Sequence, residues 1–385
     1  MSSTELSPVA TILIAKAVRT FAYGFLGILL PVYLAERGLD ARGVGLAVTC
    51  TLVGSAALTW AVRRPAERLG ARATLAALAL LSAVAAALLL MADHPWVIVL
   101  AAMIGNVAVG TGETGPFLSI EQVVVARAAT GDRRTTILSL YNLLGYAAAG
   151  LGAVVVGLAA PRALFALFLA LSLAQALLYA RLPTVSVART AAAGVASSAL
   201  IRRLAALFAL DSFAGGFVLQ SLVAYFLHER YGLGLEALGQ IFLVAQLVTA
   251  ASLLLAPRAA RQFGLLNTMV VSHLISNVFL IAIAVAPGAW AAVLLLYAHQ
   301  LLSQMDVPTR QAYVMAVVED HEREAAATTT TLWRTVAQAV SPTVTGWVMA
   351  SIALGAPFVI GGGLKIVYDV LLWATFKDVK SRELT

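Results

Sequence analysis

Apolar residues run along this chain in about twelve long stretches, each separated from the next by a short polar segment. A stretch of roughly 20 apolar residues crosses a bilayer as a helix. The stretches do not alternate between apolar and polar residues, which disfavours a membrane β-barrel. The pattern predicts an all-α membrane protein whose spans are Val9–Leu34, Val44–Val62, Ala73–Met91, Trp96–Val125, Ile137–Ala159, Ala163–Ala180, Leu204–Leu227, Leu238–Ala256, Leu265–Ala286, Ala289–Val318, Ala327–Ile352 and Phe358–Phe376.

The predicted spans divide into two groups of six. Residues 182–203 form the longest polar stretch and are interpreted as a linker between bundles at 1–181 and 204–385. The halves also resemble each other: Arg19-Thr-Phe-Ala-Tyr-Gly-Phe in span 1 matches Asp211-Ser-Phe-Ala-Gly-Gly-Phe in span 7. An even number of spans per half gives both halves the same direction through the membrane, which is a parallel repeat. Further matched pairs are Gly45 with Gly239, Gly70 with Gly264, and Pro116 with Pro308.

The composition is typical of a membrane protein, and the distribution of basic residues predicts its orientation. The 385 residues are 61% hydrophobic and 12% charged, with a mean hydropathy of +0.90, whereas a soluble domain carries roughly 25% charged residues. The formal net charge of +7 lies mainly in the loops on one side, as the positive-inside rule requires. We therefore expect a plasma-membrane protein with both termini and the linker in the cytoplasm, and no nucleic-acid partner.

The loop between spans 2 and 3 reads Glu67-Arg68-Leu-Gly70 with Arg72 two residues later. With two six-span halves and a cytoplasmic linker, this loop resembles the G-x-x-x-D-R-x-G-R-R signature of the major facilitator superfamily, although Glu67 replaces the Asp. The resemblance covers nearly the whole chain. It implies a monomeric small-molecule transporter that works by alternating access, a gating role for these four loop residues, and a central cavity lined by spans 1, 4, 7 and 10.

Ionisable residues inside the predicted spans are concentrated on four of them. Each costs at least ~2.5–3.5 kcal/mol at the bilayer centre, so each should face a cavity or a partner. Spans 1, 4, 7 and 10 carry most of these groups, and they are the spans that the resemblance places around the cavity. The groups are Lys16, Arg19, Glu113, Glu121, Asp211, His299, Asp306, Arg310, Arg334, Lys365 and Asp369.

Helical spacing selects a candidate substrate and proton site among these groups. Polar residues on span 10 step by three or four from His299 to Tyr313, which gives one polar stripe on an apolar helix. Arg19, Glu113 and Asp306 each lie about 15–20 Å from the cytoplasmic end of their spans, near the midplane. The predicted binding residues are Arg19, Tyr23, Glu113, Asp211, His299, Asp306 and Arg310.

These charges suggest a proton-coupled mechanism. Asp211, Asp306 or Glu113 is the expected proton carrier, neutral in one state and paired with an arginine in the other. Arg19 and Arg310 would bind an anionic group of the substrate, or hold the acids when the site is empty. The balance of charges favours an anionic or zwitterionic solute, and protons and membrane lipid complete the expected partners.

Structural ion pairing is the alternative for several of these residues. Asp306 with Arg310 and Lys365 with Asp369 are spaced i,i+4 and could neutralise one another. Arg334 is expected to pair with Asp211 or Asp306. His273 is interpreted as a packed histidine, and His299 as either a proton sensor or a hydrogen-bonding filler. The acidic run 319–324 and the basic loops 63–72 and 127–134 could also close a cytoplasmic gate.

Two other functions are compatible with a chain of this kind. A proton-coupled exporter of drugs is the main alternative, and a membrane receptor without transport is a remote one. We expect no enzyme, because the chain has no zinc spacing, no G-x-S-x-G and no P-loop. No metal and no cofactor are predicted.

Overall fold

The computed structural model describes residues 7–107, 115–128, 132–183, 199–307, 309–310, 313, 318 and 323–377. Every regular element in this part of the chain is a helix, as predicted. The helices are α1 Pro8–Glu36, α2 Ala41–Ala61, α3 Arg63–Met91, α4 Pro95–Ile104, α5 Pro116–Ala128, α6 Asp132–Val155, α7 Pro161–Ala180, α8 Ala199–Gly216, α9 Gln220–Tyr231, α10 Leu235–Phe263, α11 Leu265–Ala284, α12 Ala289–Ser303, α13 Arg323–Ser351 and α14 Ala356–Phe376.

Many of these helices are long and apolar enough to cross a membrane. Eight segments in the described ranges meet that criterion, counting α8 and α9 together, and four shorter helices are apolar as well. In the part of the chain that the structure describes, each predicted span contains at least one helix. The prediction of an all-α membrane protein is therefore confirmed.

Within the described residues, three predicted spans are interrupted rather than continuous. One of them is span 10, where α12 ends at Ser303 and a turn follows at Gln304 and Met305. Span 4 is divided into α4 and α5, and Asn106, which follows α4, has a left-handed φ of 52°. Span 7 is divided between Gly216, the last residue of α8, and Gln220, the first of α9. The apolar run of a span continues through such a break, so hydropathy alone does not detect it.

Two glycines of the predicted repeat adopt the same backbone conformation. Gly70 has φ 80° and ψ 173°, and it interrupts α3. Gly264 has φ 80° and ψ 159°, and it separates α10 from α11. A positive φ is accessible to glycine at little cost, which explains why both halves keep glycine here. Helix α3 begins at Arg63 instead of Ala73, because the signature-like segment is itself helical on either side of Gly70.

The chain divides into two compact units. The first unit comprises Met1–Asp40, Ala47–Arg189 and Leu233–Gln246, and the second comprises Ala41–Leu46, Thr190–Gly232 and Leu247–Thr385. The helices pack in the same pattern in each. In the first unit α1 packs on α6 and α7, and α3 packs on α7; in the second, α8 packs on α13 and α14, and α11 packs on α14. The proposed bundle boundary within 182–203 stays a prediction.

Helices α1 and α6 approach closely through two glycines. A Cβ on Gly24 would lie 2.1 Å from the carbonyl oxygen of Ala149, and a Cβ on Gly152 would lie 1.9 Å from that of Phe21. Both distances are too short for any side chain, so the backbones touch directly, as small residues permit in membrane helix pairs. The second unit repeats this at Gly216 of α8, where a Cβ would meet Ser341 of α13.

We predict that Gly152→Ala destabilises the protein by about 1–3 kcal/mol, because the added methyl group must push α6 away from α1. Gly363→Ala on α14 is the matched control, since nothing lies within 4 Å of the Cβ it would add. Replacing a helical glycine with alanine at such a site stabilises by up to about 1 kcal/mol. Thermal unfolding followed by tryptophan fluorescence measures both. Equal melting temperatures for the two variants would contradict the close approach.

Candidate functional site

The first unit holds a buried ion pair between α1 and α5. Arg19 is 4% exposed and Glu121 is 0% exposed. Arg19 Nη1 lies 2.8 Å from Glu121 Oε1, and Arg19 Nη2 lies 2.8 Å from Glu121 Oε2. This is the bidentate geometry in which a guanidinium binds a carboxylate most strongly. We call these two residues the Arg19–Glu121 pair.

Two tyrosine hydroxyls donate hydrogen bonds to the carboxylate of the Arg19–Glu121 pair. Tyr141 donates its hydroxyl to Glu121 Oε2, and Tyr179 donates its hydroxyl to Oε1. Tyr179 in turn accepts from Arg19 Nη1 at 3.0 Å and from Gln175 Nε2 at 3.0 Å. Each carboxylate oxygen therefore accepts from the arginine and from a tyrosine. Such a fully hydrogen-bonded pair is the form in which buried charge is tolerated.

Two other polar residues of α1, Lys16 and Tyr23, and the aromatic ring of Phe117 lie near this pair. The ring of Phe117 stacks under the Arg19 guanidinium, 4.7 Å from its centroid. Lys16 Nζ lies 4.4 Å from the centroid of the Tyr141 ring. Tyr23 accepts a hydrogen bond from Asn106 Nδ2 at 3.3 Å and lines a small crevice together with Arg19.

The second unit holds a larger group of buried charges centred on Asp211 of α8. Arg310 Nη1 lies 3.1 Å from Asp211 Oδ2 and also donates to Asp306 Oδ2. Lys365 Nζ of α14 lies 2.9 Å from Asp211 Oδ1. Asp211 thus accepts from two cations on two different helical segments. The guanidinium of Arg310 lies 5.6 Å from the centroid of the Phe208 ring, as Arg19 lies over Phe117.

A histidine and a further aspartate extend this group. His273 of α11 places Nδ1 2.8 Å from Asp369 Oδ1, and Nε2 3.3 Å from Lys365 Nζ. The same Nε2 is 3.8 Å from Asp211 Oδ1. Asn277 donates to the second oxygen of Asp369 at 3.1 Å. We call Asp211, His273, Asp306, Arg310, Lys365 and Asp369 together the Asp211 cluster.

Three other polar groups border the Asp211 cluster. Arg334 Nε donates to Ser212 Oγ at 2.9 Å. His299 Nδ1 lies 3.0 Å from the carbonyl oxygen of Ser276, so it donates from that nitrogen. The Oδ1 atom of Asp306 is buried without a hydrogen-bond partner among the residues that the structure describes.

The two ion pairs share one corresponding position, in the first span of each half, where the charge is exchanged. Arg19 in span 1 matches Asp211 in span 7 at an offset of 192 residues. Arg19 pairs with an acid of span 4, and Asp211 pairs with Arg310 of span 10. Each half therefore has an ion pair between its first and fourth spans. The first span supplies the cation in one half and the acid in the other.

The structure brings together some of the predicted site residues and separates others. Asp211, Asp306 and Arg310 are in contact, and His299 lies in the same unit. Arg19 and Tyr23 belong to the first unit. Glu113 and residues 319–322 lie outside the described residues, so their predicted roles stay predictions. Glu67, Arg68 and Arg72 are exposed on α3, and Gly70 is buried.

These contacts confirm one predicted pairing and correct others. The Asp306–Arg310 pair is confirmed. The Lys365–Asp369 pair is wrong, because Lys365 binds Asp211 and Asp369 binds His273. His273 is not merely packed, since both of its ring nitrogens contact charged side chains.

Arg334, which was expected to pair with Asp211 or Asp306, donates to Ser212 instead. Sequence reasoning also missed Tyr141 and Tyr179 as partners of Glu121, because a single tyrosine in an apolar helix carries no spacing signal. In the part of the chain that the structure covers, no group of three His, Cys, Asp or Glu side chains could hold a metal ion.

Comparisons with known proteins agree with this architecture. An uncharacterized membrane protein of Saccharomyces cerevisiae, YJR124C, is 22% identical over 416 residues, which cover 95% of this chain and 93% of the relative. The crystal structure of the nucleoside transporter NupG superposes with a TM-score of 0.77 at 16% identity, covering 97% of this chain and 100% of the other.

The human organic anion transporter MFSD10 (TETRAN) superposes with a TM-score of 0.68 at 16% identity, covering 96% of this chain and 100% of the other. At these identities the likeness shows a shared fold. The sequence profile of the Major Facilitator Superfamily matches residues 12–342, which is most of the chain. This chain is therefore a member of the Major Facilitator Superfamily of membrane transporters.

Proposed function

We propose that this protein is a secondary active transporter that moves a small anionic or zwitterionic solute by alternating access, coupled to protons. Membership of a transporter family supports transport itself. The positive-inside bias supports an orientation with both termini in the cytoplasm, and the proposed location is the plasma membrane.

The observation that carries the proposal is the sharing of Asp211 by two cations. Arg310 and Lys365 both bind this one carboxylate, which is 5% exposed. Removing one partner from a buried ion pair leaves an uncompensated charge, which costs about 3–5 kcal/mol. Any proton that neutralises this acidic system therefore leaves cationic charge without a partner. An anionic group of a solute is the species that restores the balance.

Charge balance in the second unit favours an anionic or zwitterionic solute over a lipophilic cation. Lys365, Arg310 and Arg334 are matched by the carboxylates of Asp211, Asp306 and Asp369. Because these six side chains have no surplus of negative charge, a cationic drug would gain no net electrostatic attraction from them. A proton, in contrast, gives them a surplus positive charge that attracts an anion.

The Arg19–Glu121 pair has a different role in this proposal. Both oxygens of Glu121 are occupied by Arg19 and by tyrosine hydroxyls, so Arg19 has its charge compensated within the first unit. Of the two roles predicted for Arg19, this geometry favours holding an acid over binding the substrate. The pair then fixes α1 against α5.

We predict that Asp211→Asn uncouples solute binding from protons. The amide keeps the size of the side chain but carries no negative charge with which to hold both cations. Candidate ligands come from a thermal-shift panel of succinate, glutamate, inorganic phosphate, uridine, xylose and tetraphenylphosphonium. With an anionic ligand from this panel, pH-driven uptake into proteoliposomes should fall at least about tenfold in the variant, equivalent to the loss of about 1.4 kcal/mol of coupling.

The matched control is Asp93→Asn, because the Asp93 side chain is 76% exposed in the turn between α3 and α4. It should transport like the unchanged protein. Equal pH-driven uptake by Asp211→Asn and the unchanged protein would contradict proton coupling through this cluster. If tetraphenylphosphonium alone stabilises the protein, and Asp211→Asn abolishes that shift, the protein is an exporter of cationic drugs.

We predict that Arg19→Gln and Glu121→Gln each destabilise the protein by about 3–5 kcal/mol, because each leaves a buried charge without its partner. The double variant should be more stable than the sum of the single effects implies, since it removes both charges at once. Denaturation in detergent measures all three proteins. An Arg19→Gln variant with an unchanged melting temperature and abolished ligand binding would instead place Arg19 in the substrate site.

A further inference from the structure

We propose that His273 is the proton-binding residue of the second unit, and that its protonation displaces Lys365 from Asp211 and makes the Lys365 ammonium the anion-binding group. This inference rests on the proposed function and assigns its proton site and its anion site. The residues that carry it are Asp211, His273, Lys365 and Asp369.

The contacts of His273 fix where its proton lies. Nδ1 is 2.8 Å from Asp369 Oδ1, and an ionised carboxylate only accepts hydrogen bonds, so Nδ1 carries the hydrogen. Nε2 is 3.3 Å from Lys365 Nζ. An ammonium only donates, so Nε2 must accept and is unprotonated. The contacts therefore describe a neutral imidazole whose free lone pair is held by a lysine.

His273 and Lys365 compete for the same oxygen atom. Lys365 Nζ lies 2.9 Å from Asp211 Oδ1, and His273 Nε2 lies 3.8 Å from it. A proton on Nε2 turns this nitrogen from an acceptor into a donor aimed at that oxygen. The same proton ends the hydrogen bond from Lys365 and places two cations about 3 Å apart, which repel each other strongly at low dielectric. His273 then replaces Lys365 as the partner of Asp211.

The exchange adds one proton, and so one positive charge, to the cluster and otherwise changes only noncovalent contacts. The proton binds the lone pair of His273 Nε2, and no covalent bond breaks. With a neutral imidazole, Asp211, Asp306 and Asp369 carry three negative charges, and Lys365, Arg310 and the neighbouring Arg334 carry three positive charges. After protonation, the imidazolium satisfies both aspartates, one through each ring nitrogen. Lys365 is left as the cation whose charge must be met from elsewhere, which an anionic solute provides.

The surroundings of His273 permit this exchange. Tyr368 packs edge-on against the ring at 5.9 Å between centroids, and His299 donates to a backbone carbonyl of α11, so neither competes for Nε2. Helix α8 presents Gly215 beside the lysine: a Cβ there would lie 3.7 Å from Lys365 Nζ, in ordinary van der Waals contact. The missing side chain leaves room for the ammonium to move along α8.

The first test measures the imidazole directly and needs no ligand. Solid-state NMR of ¹⁵N-histidine-labelled protein in lipid, with His273→Gln to assign the signal, reports the protonation of each ring nitrogen. The spectra are compared at pH 6 and pH 8. We expect Nδ1–H only at pH 8 and a doubly protonated ring at pH 6. Lys365→Met should enlarge the doubly protonated fraction at a given pH, because it removes the competing cation.

A His273 ring that is neutral at both pH values in Lys365→Met as well as in the unchanged protein would overturn the proposal. His228→Gln on α9 is the control for histidine removal, since it should leave the assigned signal in place. This test is independent of transport. If the exchange occurs but no anion in the panel binds, the proposed function fails while the proton site stands.

The second test measures binding of succinate, or of whichever anion the panel identifies, at pH 6 and pH 8. The unchanged protein should bind at least about tenfold more tightly at pH 6. His273→Gln should bind weakly at both, because Lys365 stays on Asp211. Asp211→Asn should bind tightly at both, because Lys365 is released permanently, and Lys365→Met should lose binding. A His273→Gln variant that keeps the tenfold ratio would overturn the assignment.

Discussion

A charge within a membrane span must have a partner, and this constraint organises both halves of the protein. Arg19 meets Glu121 in the first unit, and Asp211 meets Arg310 in the second. Each pair joins the first span of a half to its fourth. Because an unpaired buried charge is so costly, the pair fixes how these two helices sit against each other. The glycine contact of the first helix with its fifth-span neighbour, α1 on α6 or α8 on α13, then completes the frame of each unit.

The two pairs differ in how fully they are satisfied, and this difference divides their roles. Both oxygens of Glu121 accept hydrogen bonds from a bidentate arginine and from tyrosine hydroxyls, so its charge is well compensated in this arrangement. Asp211 is shared by a guanidinium and a flexible lysine, and a titratable imidazole stands 3.8 Å away. The matched position is therefore held in a fixed ion pair in the first unit, at Arg19. In the second unit, at Asp211, we propose that its partners can be exchanged.

The sequence predicted the fold well and the partners poorly, for physical reasons. The predicted spans follow from hydropathy, and the Arg19–Asp211 repeat follows from matching sequence segments. Both can be read along the chain without knowing which helices are neighbours. Pairing between spans depends on which neighbour a side chain faces. Lys365 and Asp369 are one helical turn apart, yet one reaches α8 and the other α11. His273 had no local signal at all, because its partners are about 60 and 90 residues away in the chain, brought near only by helix packing.

Charge conservation links the proposed exchange to what the transporter can carry. The Asp211 cluster with Arg334 is balanced when the imidazole is neutral, so each bound proton calls for one negative charge. A monoanion that enters with the proton restores neutrality. The conformational change of the loaded protein then moves no net charge from these groups through the membrane field. A zwitterion brings no net charge, so the loaded state keeps one positive charge and its movement responds to the membrane potential, by about 2.3 kcal/mol per 100 mV. The dependence of uptake on voltage therefore separates these two classes of solute.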